Sequence, residues 1–202
     1  MQIIDISKDI AQCEIYPGDP PVKIRQVSRI SKGGEYNLSE ITTGLHKGTH
    51  YDAPLHFLEN GQSAEKADLN VFIGECYVVE TPPGAVTGEF VNERFPKGAK
   101  RILMKGRGKS YLLESAAEEI AFGGVRLLGT DGLSVGTEGM QKEPHTALLR
   151  ENVAILENLD LENVKEGKYF LLAQPLKISG AEAAPVRAVL IGDFIFWSGT
   201  KA

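Results

Sequence analysis

The sequence predicts an α/β protein built on a mixed β-sheet core with few helices. Short β-branched apolar stretches recur between Gly and Pro punctuation, only two segments carry a helical signal, and the apolar and charged fractions, 42% and 24%, are those of a packed globular domain. Many strands and few helices fit α/β or α+β organisation, and α/β with a substantial mixed sheet is the class expected.

In chain order, strands are expected at residues 22–24, 38–42, 77–79, 101–104, 125–128, 153–156, 169–172 and 186–191. A helix is expected over residues 112–122, where Leu113, Ala116, Ala117 and Ile120 share a face and Gly123 and Gly124 close the end. A second helix is expected over residues 145–151, with Pro144 at its entry and His145 at its start. Neither repeats nor low-complexity linkers divide the chain, so residues 1–202 read as a single domain.

The formal net charge of −5 comes from mixed signs, and no Lys/Arg block offers a phosphate-binding stripe. The expected partner is therefore a small molecule and not nucleic acid. No apolar run approaches the roughly 18 residues of a membrane span, and acidic Asp5 interrupts the N-terminal apolar stretch, so a cytoplasmic protein without membrane contact is expected. Cys13 and Cys76 share no metal or redox spacing and read as reduced residues.

Three of the four histidines fall within the segment 46–56, His46-Lys-Gly-Thr-His50-Tyr-Asp52-Ala-Pro-Leu-His56. Imidazole and carboxylate together suit a borderline divalent ion, and three protein ligands with an open position is the usual catalytic arrangement. The even-numbered members would face one side of an extended strand. Yet at about 3.3 Å per residue, four residues put side chains roughly 13 Å apart, too far to share an ion held at about 2.1 Å. The chain must bend, and Gly48 permits it. Gly48, Thr49 and Pro54 argue against a helix, which leaves a bent strand or loop held by Pro54. Farther along, His145 and Glu157, the latter ending an apolar strand, would complete a set large enough for two metal ions if they return to this cluster.

The pattern His46-x-Gly-Thr-His50-x-Asp52-x-Pro54-x-His56 resembles the signature of the cyclase-type metal-dependent hydrolases, the family that includes bacterial kynurenine formamidase. The likeness continues in Tyr16-Pro-Gly-Asp-Pro20, Gly129-Thr-Asp131, Ser134-Val135, His145, Glu157, Pro175-Leu-Lys-Ile178 and Pro185-Val-Arg-Ala188, and so covers almost the whole chain. The resemblance implies a β/β/α, swivelling cyclase-like fold in a homodimer or higher homo-oligomer, with part of the pocket supplied by a neighbouring chain. It implies that His46, His50 and Asp52 bind one metal, that Asp52, His145 and Glu157 bind a second, that His56 is the general acid/base, and that Tyr16 contacts substrate. It further implies one or two divalent ions, Zn²⁺ first and Mn²⁺ as the alternative. The activity implied is arylformamidase hydrolysis of N-formyl-L-kynurenine to kynurenine and formate by metal-bound hydroxide. An isatin hydrolase-like opening of a cyclic imide or lactone is the alternative on the same metal site. Two positions depart from the family pattern: Gly136 stands where many relatives have Asp, and Tyr16 where bacterial kynurenine formamidases typically have Trp.

Two other motifs point to different chemistry. Gly132-Leu-Ser134-Val-Gly136 matches a serine-hydrolase nucleophile elbow, but no histidine follows His145 to complete the Ser, Asp, His order. Gly106-Arg-Gly-Lys109-Ser110 resembles the end of a phosphate-binding loop without its first Gly, and reads as a solvated turn. The aromatic stretch 194–197, with Trp197, is expected to pack into the core or an interface.

Overall fold

The computed structural model describes residues 1–193 and shows short strands alternating with a few helices. The elements are β1 (Gln2–Asp5), β2 (Lys23–Ser28), β3 (Leu38–Thr42), β4 (His50–Asp52), β5 (Ile73–Glu80), β6 (Gly84–Val86), α1 (Gly88–Arg94), β7 (Arg101–Lys105), β8 (Ser110–Leu112), α2 (Glu114–Phe122), β9 (Leu127–Thr130), α3 (Lys142–Arg150), β10 (Ala154–Glu157), β11 (Gly167–Leu172), β12 (Ala183–Pro185) and β13 (Val189–Gly192). Nine strands form one curled, mixed sheet in the order β1-β13-β11-β5-β7-β9-β10-β4-β12. Its centre, β5-β7-β9-β10, is parallel, and antiparallel pairs flank it on both sides.

Period-two alternation sorts the central strands between two cores. Ile102, Met104, Leu128 and Ile155 point to the side covered by the helices, where they meet Ala116, Ala117, Ile120, Leu148 and Leu149. Leu103, Leu127 and Leu156 point the other way, into a core with Tyr51, Phe72, Leu171 and Leu190. Each such leucine or isoleucine, removed from water, contributes roughly 1.5–3 kcal/mol. Both faces of β9 and β10 are thereby buried, which is why these strands read as unbroken apolar runs.

Each expected strand is present: β3 has the expected bounds and the others are shifted at one or both ends. The stretch expected as 186–191 forms β13 only from Val189, because Val186 instead bonds to Thr49 O and bridges Pro175, on the far side of the sheet from β1. The helix expected from residue 112 begins at Glu114: Leu112 pairs with Val86 in a parallel bridge of β8 with β6, and Leu113 is the N-cap, off the buried face. The helix expected from His145 begins at Lys142 and places Pro144 third, where a missing N–H still costs no intrahelical bond. β4 falls in the segment expected as a bent strand or loop, whereas strands β1, β6, β8 and β12 and helix α1 had no sequence expectation. They are short, and α1 opens on Gly88 and depends on the Thr87 hydroxyl, which accepts the Phe90 N–H at 3.2 Å. The aromatic stretch 194–197 lies outside the described residues.

Candidate metal centre

Strand β4 lies between β10 and β12, with His50 opposite Glu157 and Asp52 opposite Ile155 across the antiparallel β10 pair. Alternation puts His50, Asp52 and Glu157 on one face and turns Tyr51 and Leu156 into the core. Gly48 provides the bend that the spacing demands. Its φ of +71° lies in the left-handed region, and an added Cβ would sit 3.2 Å from Ile10 Cα. The bend returns His46 to the cluster, with its Nδ1 3.0 Å from Asp52 Oδ1 and its ring centroid 5.0 Å from that of His50. Pro54 then opens a 3-10 turn, Pro54–His56, that swings the His56 ring to 4.1 Å from His46 and 5.8 Å from His145.

The remaining histidine comes from α3. His145 Nε2 lies 3.2 Å from Glu157 Oε1 and 3.6 Å from Asp52 Oδ2. Main-chain carbonyls fix both buried rings: His50 Nδ1 donates to Gly48 O at 2.8 Å and His145 Nδ1 to Gln141 O at 2.7 Å. Each Nε2 is thereby turned toward the carboxylates, where it can carry a proton or offer its lone pair to a cation. Glu157 Oε1 is itself held by the Val135 N–H at 2.7 Å.

His50 Nε2 and both Asp52 oxygens are fully buried and lack a hydrogen-bond partner, although His46 and His50 nitrogens approach Asp52 Oδ1 at 3.0 and 3.3 Å. Histidine nitrogens and buried carboxylate oxygens converge here, an arrangement that a shared cation satisfies. Two groups bring ligand atoms within 4.8 Å of one another: His50, Asp52 and Glu157, and His46, Asp52 and His56. All six residues implied as ligands or acid/base meet in one place. The contacts bring together both the implied sets, His46 and His50 at Asp52 and His145 at Asp52 and Glu157, and the groups in which Glu157 stands with His50 and His56 with His46.

The electrostatics carry the same message. Burial disfavours the His50 imidazolium, yet Asp52 and Glu157 push its pKa up to about 10. His145, also opposed by burial, is pushed up to about 10 by Asp52 and Glu157. Asp52, despite burial, is held well below the usual carboxylate range by His50, His145 and His46. Two buried carboxylates require compensating positive charge, supplied either by protons on histidines or by a metal. His56 behaves differently: burial, assisted by His46 and His145 and opposed by Asp52, lowers its pKa and keeps it neutral near pH 7.

A cavity of ≈ 210 Å³ opens onto the cluster, lined by Tyr16, Asp19, Phe57, Leu133, Ser134 and Gln141 as well as His46, His56, His145 and Glu157. Phe57 stacks on His145 with ring centroids 4.4 Å apart. Sequence reasoning did not single out Asp19, Phe57 or Gln141, nor Glu182, whose Oε1 lies 3.5 Å from His46 Nε2. Asp19 carried a signal as part of the Tyr16–Pro20 stretch, and Phe57 by following His56 directly.

The competing motifs lose their chemistry. Ser134 Oγ accepts the Gly136 N–H at 3.2 Å, and among the described residues no histidine bonds it. A Cβ on Gly136 would lie 2.7 Å from Gln141 Cα, so this turn has no room for a side chain there. In the phosphate-loop-like segment, the N–H groups of Gly106, Arg107 and Gly108 all donate to the Asp131 carboxylate, at 3.0, 2.8 and 3.1 Å. The chain's own anion fills that nest.

A family model described as putative cyclase matches residues 4–137. A kynurenine formamidase of Erythrobacter litoralis is 37% identical over 203 residues, covering 94% of this chain and 93% of the relative. One of Sphingopyxis alaskensis is 36% identical, covering 94% and 97%. Among solved structures, a predicted metal-dependent hydrolase from Bacillus stearothermophilus superposes with TM-score 0.81 at 28% identity, covering 94% of this chain and 97% of that one. Isatin hydrolase A from Labrenzia aggregata shares the fold, with TM-score 0.80 at 19% identity and coverage of 94% and 93%. Matched by the family model over more than half its length and by curated relatives along nearly all of it, the chain belongs to the putative cyclase family.

Proposed function

We propose that the protein is a metal-dependent amidohydrolase that cleaves an aromatic formamide, with N-formyl-L-kynurenine as its substrate. The observation that carries this reading is the set of unpartnered His50 Nε2 and Asp52 oxygens, fully buried and in contact with His46, His145 and Glu157, which line a cavity that Tyr16 and Phe57 also wall. The 37% identity to a relative named kynurenine formamidase supports the choice of formamide.

His46, His50, Asp52, His145 and Glu157 would hold one or two divalent ions, zinc in the first instance and manganese as the alternative. Such an ion supplies Lewis-acid polarisation of the carbonyl and a lowered pKa for water. The side chains do the rest. Gly48 O and Gln141 O hold the rings of His50 and His145 in the ligand tautomer. His56, neutral near pH 7 and facing the cavity, accepts a proton from the attacking water and returns it to the leaving aniline nitrogen. Water adds to the formyl carbon, the C–N bond breaks, and the products are the free amine and formate. Phe57 and Tyr16 flank the cavity and offer faces for the aromatic ring.

The protein acts as a homo-oligomer on this reading. Among the described residues, strands β2 and β3 pair only with each other, and they expose Ile24, Val27, Leu38 and Ile41. Its location is the cytoplasm, consistent with two free thiols and with the lack, among the described residues, of a helix long and apolar enough to cross a membrane.

The test is loss of N-formylkynurenine, followed by absorbance, with and without chelator, alongside elemental analysis of the purified protein. Chelator-sensitive turnover with bound divalent metal is expected. Turnover of isatin or a lactone with none of the formamide would replace this substrate by a cyclic one, and full activity without metal would overturn the reading.

A further inference from the structure

The residues between the metal-site side chains grip another part of the chain. Thr49 Oγ1 accepts the Lys8 N–H at 2.8 Å and donates to Asn158 O at 2.6 Å. Gly48, lacking a Cβ, lets Ile10 pack directly against it. Lys47 Nζ donates to Cys13 O and, at 2.9 Å, to Glu14 O. Three successive residues thus hold the segment after β1 at three successive points.

Lys47 is the member whose position needs explaining. It is only 6% exposed, and a buried ammonium is costly unless its protons are used. Here they go to main-chain carbonyls of a stretch without strand or helix. Among the described residues, those two bonds are the only hydrogen-bonded link from residues 13–22 to anything beyond the N-terminal segment. The internal turn, Asp19 N–H to Tyr16 O at 3.0 Å, ties the stretch only to itself. Two residues beyond Glu14 comes Tyr16, which with Asp19 forms one wall of the cavity over the metal cluster.

We propose that Lys47 is a positioning residue that docks residues 13–19 against the metal-site segment and so sets the wall of the substrate cavity formed by Tyr16 and Asp19. The hydrogen bonds of its ammonium go to the backbone of the strap, and it acts through that backbone. Its kinetic consequence rests on the hydrolase reading above, whereas the docking does not.

The experiment uses the full-length, metal-loaded protein with Lys47→Met, which keeps the stem and removes the charge. Losing charge-assisted hydrogen bonds to two carbonyls should speed amide hydrogen exchange in residues 13–19 by about tenfold or more. Protection of β4 and β10 and the bound metal should stay as in the parent. KM for N-formylkynurenine should rise by about tenfold with kcat within about twofold, because the wall is lost and the chemistry is not. Lys47→Arg, which retains donors, should restore slow exchange and low KM in part. If Lys47→Met does not fold, Lys47→Gln carries the same measurements. Unchanged exchange in 13–19, loss of metal, or a fall in kcat at constant KM would each overturn the assignment. Should the parent protein hydrolyse no formamide, the hydrolase reading falls, and the exchange data still decide the docking.

Discussion

His50 and Glu157 face each other as register partners across β4 and β10, with His50 Nε2 3.5 Å from Glu157 Oε2. The sheet itself therefore sets the distance between a ligand of the histidine-rich segment and one located more than a hundred residues away. A metal held here ties β4 to the end of the parallel sheet.

Glu157→Gln tests that tie. The amide keeps the shape and can still accept the Val135 N–H, but it removes one of two buried charges that hold His50 and His145. We expect metal affinity to fall by at least about tenfold, and the thermal gain on adding metal to shrink in proportion. Titration of the stripped protein with zinc, followed by melting temperature, measures both. A variant that binds zinc as tightly as the parent removes Glu157 from the ligand set.

His56→Ala separates proton transfer from metal binding. His56 stands with His46 and Asp52 in one possible ligand group, so a ligand role and an acid/base role make opposite forecasts. With an acid/base role, metal content stays at the parental value while kcat falls by about 10²–10⁴. Loss of metal from the variant would instead make His56 a ligand.

The histidine segment was legible because its ligands are close in sequence and Gly48 was the only residue within it able to bend the chain. Glu157 could be named as a strand end, yet its placement opposite His50 depends on an antiparallel pairing that no local pattern encodes. β4 was legible only as part of a bent strand or loop: three residues in polar, apolar, polar order are too few for alternation to fix a strand or its partners. The strands near the helices were visible as apolar runs because both of their faces are covered. Lys47 read as a variable position between ligands, and its carbonyl partners at residues 13 and 14 belong to a segment with no regular structure. Glu182 reaches His46 only because β12 pairs with β4.

Stability should depend on pH differently with and without metal. In the metal-free protein, the pKa values of His50 and His145 are raised from 6.5 to about 10. A raised folded-state pKa means the folded form binds the proton more tightly. The stabilisation is complete below pH about 6.5 and disappears as pH rises toward 10. The melting temperature of stripped protein should therefore fall between pH 7 and pH 9. Zinc competes with those protons, so the increase in melting temperature on adding zinc should grow over the same interval. A zinc effect that is constant or shrinking with pH would mean the histidine protons and the metal do not share one site.

The hairpin of β2 and β3 bears on assembly. Ile24 is 60% exposed, Ile41 51% and Leu38 46%, and Ile30 and Tyr36 in the connection are each 58% exposed. A two-stranded ribbon with no covered face is marginal by itself, and an apolar surface of this kind marks a contact. With a second copy as its cover, the protein should run as a dimer or larger assembly in light scattering. Ile24→Asp combined with Ile41→Asp should shift it toward monomer without altering the metal content of each chain. If the neighbouring chain also completes the pocket, turnover per chain should fall with dissociation, so diluting the parent through its dissociation range should reproduce the loss seen in the variant. A monomeric parent with full turnover would exclude both the assembly and a shared pocket.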